Sequence, residues 1–190
     1  IIAKNFDQVI AVAGSHGKTT VTAMIAHMLN EYGTDASFYI GGIPSNFNTN
    51  AQYKNKNILV TEADESDLSI LELKPAVGVI LNLDDDHAWN VGGSEILHNG
   101  FIKYATNSKN IIISSDNLPC GFDKNIKKKG IHILEKVFCD EKYLSEYIGI
   151  ERENIITSLT VAQYLNLDLT KALKCLKSFK GVARRMMEVY

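Results

Sequence analysis

Ala13-Gly14-Ser15-His16-Gly17-Lys18-Thr19-Thr20 reads as a phosphate cradle set between a strand and a helix. The uncharged apolar run Val9-Ile10-Ala11-Val12-Ala13 before it predicts a buried strand. After it, Val21, Met24, Ile25, Met28, Leu29 and Tyr32 recur at intervals of three and four, which predicts one apolar face of a helix. Gly33 supplies the stop. Glycines in the turn let backbone N–H groups approach phosphate oxygens closely, and the helix N-terminus adds a favourable field. In such a loop Lys18 reaches the outer phosphates and the Thr19 hydroxyl ligates Mg²⁺. Gly14, Ser15, His16, Gly17 and Thr20 complete the cradle, with His16 positioning backbone or substrate. Val12 stands where the longer phosphate-loop pattern has its first glycine.

The bulk composition narrows the field. With 190 residues, 45% of them hydrophobic, the chain suits one sizeable domain with a full core. A formal net charge of −2 gives no global basic field for nucleic acid or an anionic membrane. Lys127-Lys128-Lys129 is too short to change that and reads as a solvated loop. No apolar stretch approaches the roughly 20 residues of a membrane-spanning helix, and no signal-peptide pattern is present. Cys120, Cys139 and Cys175 are odd in number and widely spaced, which suits free thiols in a reducing cytoplasm better than a disulfide framework or zinc site.

Strands alternate with helical patterns, so the expected class is α/β, with a mainly parallel sheet flanked by helices. Strands are expected at Ser37–Ile40, Ile58–Thr61, Val77–Leu81, Asn110–Ile113 and Ile131–Leu134. A long surface loop is expected over Gly41–Asn57. Ser94 is expected to cap a helix carrying Leu97, Phe101 and Tyr104, and Asp140 one carrying Tyr143, Leu144, Tyr147 and Ile148. One further helix is expected from about Asn154 to Leu165. Another runs from an Asp168 cap through Phe179 to a stop at Gly181.

In open α/β sheets, ligands sit beyond the carboxyl ends of the strands. Three expected strands deliver chemistry there: the cradle, Glu62-Ala63-Asp64-Glu65-Ser66-Asp67, and Asp84-Asp85-Asp86-His87. Carboxylates beside a polyphosphate call for a cation between them, and Mg²⁺ takes oxygen ligands. Glu62 is the first candidate ligand and His87 the second, although imidazole is a softer donor than Mg²⁺ prefers. Asp67, Asp84 and Asp85 read as solvated caps, and His27, His98 and His132 as structural or exposed.

The ordered motifs GSHGKTT, EADESD, NLDDDH with Gly92-Gly93 soon after, and a terminal GVARR resemble the central ATPase domain of the Mur ligases, closest to the alanine-adding branch. The likeness covers nearly the whole chain. It implies a P-loop NTPase-like central domain over residues 1–182 and a connector over 183–190. Absent N- and C-terminal domains would hold a UDP-sugar and bring the amino acid. The implied reaction is ATP-dependent amide bond formation in peptidoglycan precursor synthesis, joining L-alanine to UDP-N-acetylmuramate through an acyl phosphate. The fragment alone is not expected to ligate. The resemblance assigns Lys18 to the phosphates, Thr19 to a first Mg²⁺, Glu62 to a bridge between two Mg²⁺ ions and His87 to the second. It makes Asn82 a support of this site, and it places Arg184 or Arg185 near the phosphates. No lysine stands where several sister ligases carry a carbamylated one, in keeping with the alanine-adding branch.

The chain departs from the family in three places. Trp89 replaces the second aspartate of DHxD. The adenine-binding HNxxN becomes Glu153-Asn154-Ile155-Ile156-Thr157, keeping Asn154 alone. The stretch between Ser115 and Asn154 is short for the family, which suggests that a small peripheral sheet is absent. Gly41-Gly42-Ile43-Pro44-Ser45-Asn46-Phe47 is also similar to the related ligase that recycles a whole tripeptide. Alternatives are therefore that recycling activity, a stand-alone phosphotransferase, or a Mur-like protein that binds nucleotide without ligating.

Overall fold

The computed structural model describes residues 2–66, 68–85, 88–114, 118–119, 122–137 and 144–183. A seven-stranded sheet in the order β3-β2-β4-β1-β5-β6-β7 forms its centre. β1 (Gln8–Ala13) pairs in parallel with β4 (Ile58–Glu62) on one side and β5 (Val77–Ile80) on the other. β2 (Ser37–Tyr39) lies parallel to β4, β6 (Asn110–Ile113) to β5, and β7 (His132–Ile133) to β6. Among the described strands only β3 (Ala51–Gln52) runs antiparallel, against β2. The expected α/β class with a mainly parallel sheet is therefore the observed one.

The central strands are covered on both faces, which is why their sequences are nearly continuous apolar runs. Alternate residues of β1 serve different cores, as strand geometry requires. Ile10 and Val12 join one core, beneath α1 (Lys18–Tyr32), α5 (Gly149–Tyr164) and α6 (Leu169–Lys177). Val9, Ala11 and Ala13 join the other, beneath α3 (Ser94–Asn107) and α4 (Phe122–Lys128). A short helix, α2 (Ala88–Val91), precedes α3. Within the second core the buried Tyr104 hydroxyl donates to the Ala11 carbonyl at 2.7 Å, tying α3 to β1.

Several elements differ from their sequence expectations. Every residue of α1 from Val21 to Leu29 is buried, because α5 and α6 cover the face that a surface helix would leave wet. His27 is among them, so it is a core residue. α5 begins at Gly149, five positions before the expected start at Asn154, after an extended Ile148 with no side-chain cap. Gly93 rather than Ser94 occupies the cap of α3. Asp168 does cap α6, accepting from the Lys171 N–H at 2.7 Å, but the helix ends at Lys177, before Gly181. The 41–57 stretch is not all loop: it contains β3, and Pro44 pairs with Val182 in an isolated bridge. Cys175 is a free thiol. The expected helix cap Asp140 with Tyr143, together with Cys120 and Cys139, lies outside the described residues. Among the described residues no helix is long and apolar enough to cross a membrane.

Parallel pairing sets the carboxyl ends of β1, β4 and β5 side by side. Val12 is in register with Glu62, and Ala13 with Ile80. The segments starting at Gly14, Glu62 and Leu81 therefore emerge together at one edge of the sheet.

Candidate functional site

The loop from Gly14 to Gly17 is fixed by the segment that follows β5. The Leu81 N–H donates to the Ala13 carbonyl at 3.0 Å. The Ser15 hydroxyl donates to the Asp84 carbonyl at 3.0 Å and accepts from the Asp84 N–H at 2.9 Å. The Asn82 side chain binds His16 twice, accepting from its N–H at 2.8 Å and donating to its carbonyl at 3.1 Å. Gly14 is required here, since a Cβ at this position would lie 2.9 Å from Leu81 Cβ. Gly17 caps α1 in the left-handed conformation, with φ 83°, and its carbonyl accepts from the Val21 N–H at 3.0 Å. Ser15 to Thr20 line a cavity of about 250 Å³ over the N-terminus of α1. This is a concave array of backbone donors at a helix start, an arrangement suited to an anion.

Two acidic residues of the Glu62–Asp67 run reach into this loop. The Thr19 hydroxyl donates to Glu62 Oε2 at 3.2 Å, and the Gly41 N–H donates to Glu62 Oε1. The Lys18 ammonium binds both carboxylate oxygens of Glu65, at 2.8 and 2.9 Å, and the Gly14 carbonyl at 2.8 Å. Glu65 is only 1% exposed. Sequence reasoning did not single out Glu65; the signal available was its position three residues after Glu62, at the same strand end. Asp64 has a structural task, accepting the Ser66 N–H on its side chain at 3.0 Å and the Ile70 N–H on its carbonyl at 2.9 Å.

Asp84 and Asp85 are exposed, as read from sequence, but each has a histidine close by. His16 Nε2 is 3.8 Å from Asp84, and His98 Nε2 is 3.3 Å from Asp85. His98 is thus brought to the edge of the site, which sequence reasoning missed because it lies in the following helix. Thr19 and Glu62 meet, but His87 lies outside the described residues, as do Asp67, Asp86, Arg184 and Arg185. Among the described residues no three His, Cys, Asp or Glu side chains group as metal ligands. Trp89 is 79% exposed, so the residue at the departed DHxD position points away from the core.

A second cavity, of about 460 Å³, adjoins the loop at Gly17 and Thr20. Met24, Ile155 and Phe179 give it apolar walls, and Asn154, Glu151 and Lys177 are polar residues of its lining. Thr157 does not reach it. It is buried, and its hydroxyl meets that of Ser114 at 2.7 Å, beyond the end of β6. A flat apolar group bearing polar edges suits such walls.

Residues 181–183 are tied to the same site. The Ser45 N–H donates to the Gly181 carbonyl, and the Ala183 N–H to the Ile43 carbonyl, both at 3.0 Å. A Cβ on Gly42 would lie 2.9 Å from Val182 Cγ1 and 3.0 Å from Thr19 Cγ2. The Gly41–Phe47 segment therefore bridges Glu62 and Thr19 to residues 181–183.

Comparison with known proteins agrees with this geometry. The family description "Mur ligase middle domain" matches residues 12–168. The UDP-N-acetylmuramate–L-alanine ligase of Ruthia magnifica subsp. Calyptogena magnifica is 34% identical over 211 residues, covering 93% of this chain and 44% of that protein. The corresponding ligase of Dichelobacter nodosus is 31% identical, covering 93% of this chain and 43% of that protein. The chain thus spans about half the length of the curated relatives it matches. Among solved structures, the UDP-N-acetylmuramate:L-alanyl-gamma-D-glutamyl-meso-diaminopimelate ligase from Neisseria meningitides superposes with a TM-score of 0.79 at 23% identity, covering 96% of this chain and 69% of that one. That likeness speaks for the fold. The order of the strands, the loop on β1 and the family match over most of the chain lead to one conclusion: this chain belongs to the Mur ligase family.

Proposed function

We propose that this chain is the nucleotide-binding central domain of an ATP-dependent amide ligase of peptidoglycan precursor synthesis, acting in the cytoplasm on UDP-N-acetylmuramate and L-alanine. The observation that carries this reading is the meeting of the Thr19 hydroxyl with Glu62 Oε2, 3.2 Å apart, beside the phosphate loop. A Lys-Thr pair opening a helix, with a strand-end carboxylate against the threonine, is what Mg²⁺-nucleotide binding asks of a chain.

In this reading the backbone N–H groups of Gly14 to Thr20 hold the phosphates and Lys18 neutralises their outer charge. Arg184 or Arg185 would add positive charge there. Thr19 and Glu62 are hard oxygen donors already facing one another, so they fit a Mg²⁺ ion, and the resemblance assigns His87 to a second one. The ion, when bound, offsets the charge of the phosphoryl group in transfer. The cavity beside Gly17 takes the nucleoside, with Asn154 at its polar edge. The sugar carboxylate attacks the γ-phosphorus, ADP leaves and an acyl phosphate forms. The amine of L-alanine then displaces phosphate to give the amide. Both of these reactants would be held by further domains of the whole protein.

The test is calorimetric titration with ATP, with and without Mg²⁺, beside Lys18→Ala. Mg²⁺-dependent binding that disappears in the variant supports the reading. Equal affinity in the variant overturns it. Lys18→Ala also leaves the buried Glu65 carboxylate without its partner, so a stability loss of about 3 kcal/mol is expected and melting must be followed alongside. Formation of UDP-N-acetylmuramoyl-L-alanine by the full-length protein tests the choice of substrates. Ligation of a tripeptide but not of L-alanine would replace it.

A further inference from the structure

The Lys18 ammonium carries three N–H donors. All three have acceptors: the Gly14 carbonyl at 2.8 Å and the two Glu65 oxygens at 2.8 and 2.9 Å. These three contacts use every donor of the lysine. Glu65 is held in place from several sides. Its own carbonyl accepts from the Leu68 N–H at 3.3 Å, and Leu68 takes the left-handed conformation with φ 60°. The Asp64 turn on its other flank is closed by the Ser66 and Ile70 N–H groups. With 1% of its surface exposed, the Glu65 carboxylate is almost fully desolvated, and Lys18 supplies its counter-charge.

We propose that Glu65 is an internal stand-in for a nucleotide phosphate, holding the lysine of the loop while no nucleotide is bound and giving up at least one of its two hydrogen bonds when a phosphate binds. This rests on the nucleotide reading above. Phosphate oxygens and the Glu65 oxygens are alike in charge and compete for the same donors. Displacing Glu65 leaves a buried negative charge beside a polyphosphate, which opposes binding. Glu65 thus sets the affinity of the loop downward and makes it lean more heavily on a divalent cation. A residue that merely aimed Lys18 at the phosphates would have the opposite effect when replaced.

Glu65→Gln separates the two by sign. It keeps the shape and one acceptor while removing the competing charge. ATP should then bind about tenfold more tightly than to the parent chain, with the larger gain in the absence of Mg²⁺. Unchanged or weaker binding by Glu65→Gln, with the parent chain binding normally, overturns the assignment of Glu65 alone. A parent chain that binds no ATP overturns the nucleotide reading and this inference together. If Glu65→Gln does not fold, a crystal structure of the parent chain with Mg²⁺ and a non-hydrolysable ATP analogue decides. A phosphate oxygen in place of at least one Glu65 oxygen on Lys18 supports the proposal. Retention of all three present acceptors overturns it.

Discussion

The side-chain amide of Asn82 is bonded on both of its edges to the backbone of His16, N–H to Oδ1 at 2.8 Å and Nδ2 to the carbonyl at 3.1 Å. Asn82, just beyond β5, thereby sets the orientation of the two peptide units that flank His16 in the Gly14–Gly17 loop. Asn82→Ala should cost about 1–2 kcal/mol of stability and weaken ATP binding about tenfold, because the loop must then be ordered by the ligand. Asn82→Asp should bind more weakly still. It keeps the acceptor for the His16 N–H but turns a lone pair and a negative charge toward the His16 carbonyl and the anion site. Melting curves and calorimetry on the two variants test the order parent, Ala, Asp.

Glycines in this chain are needed for two separable reasons, and a matched pair of substitutions tells them apart. At Gly14 the backbone has φ 146°, and an added Cβ would meet Leu81 Cβ at 2.9 Å and the Asn82 backbone N at 3.2 Å. At Gly33, the cap of α1, φ is 100° and nothing lies within 4 Å of the added atom. Gly33→Ala should therefore cost only the conformational term, about 1 kcal/mol. Gly14→Ala adds a collision between packed backbones and should cost about 3 kcal/mol, with loss of ATP binding. Urea unfolding of both variants checks the difference.

The architecture was readable because parallel strands buried on both faces are written as apolar runs, and Val9–Ala13, Ile58–Thr61 and Asn110–Ile113 all stand where expected. The same double burial misled the reading of α1. Val21, Met24 and Met28 mark one face, but Ala23, Ala26 and His27 are equally buried under α5 and α6, and no local pattern announces a second covering layer. The start of α5 was missed because Ile148 and Gly149 carry no capping side chain. At the candidate site, Gly14 to Thr20 and Glu62 could be proposed from motif order. Glu65, Asp64 and His98 could not be assigned that way, since their tasks depend on which loops the sheet brings together.

His27 ties α1 to the end of α6. Its Nε2 lies 3.1 Å from the Cys175 carbonyl and 2.9 Å from the Ser178 hydroxyl, and its ring packs between Phe47 and Phe179. A carbonyl can only accept, so Nε2 carries the proton of a neutral ring. Burial holds its pKa below the ordinary 6.5, with Glu31 and the Cys175 carbonyl opposing in part. The folded chain thus binds a proton less readily than the unfolded one. This contribution is fully present above the unfolded pKa and is lost as pH falls below 6.5 through the folded value. Unfolding free energy measured from pH 7.5 down to 5 should decline, and His27→Gln should flatten that decline. An identical slope in the variant would refute the assignment.

The inward turn of Thr157 makes its own prediction about nucleotide recognition. The residue is 1% exposed, and its hydroxyl partners Ser114 at 2.7 Å, whereas Asn154, three positions earlier on α5, faces the cavity beside Gly17. Restoring the asparagine that the resemblance expects at position 157 therefore puts a larger polar group into packed interior. Thr157→Asn should lower stability by about 2 kcal/mol without strengthening nucleotide binding. Asn154→Ala should leave stability almost unchanged and reduce the preference for ATP over tripolyphosphate, a ligand that has the phosphates but no base. Competition between those two ligands on parent and variants reads the base contact directly. If Thr157→Asn raises the preference for ATP while Asn154→Ala leaves it unaltered, recognition runs through position 157, and the Ser114 pair must open when nucleotide binds.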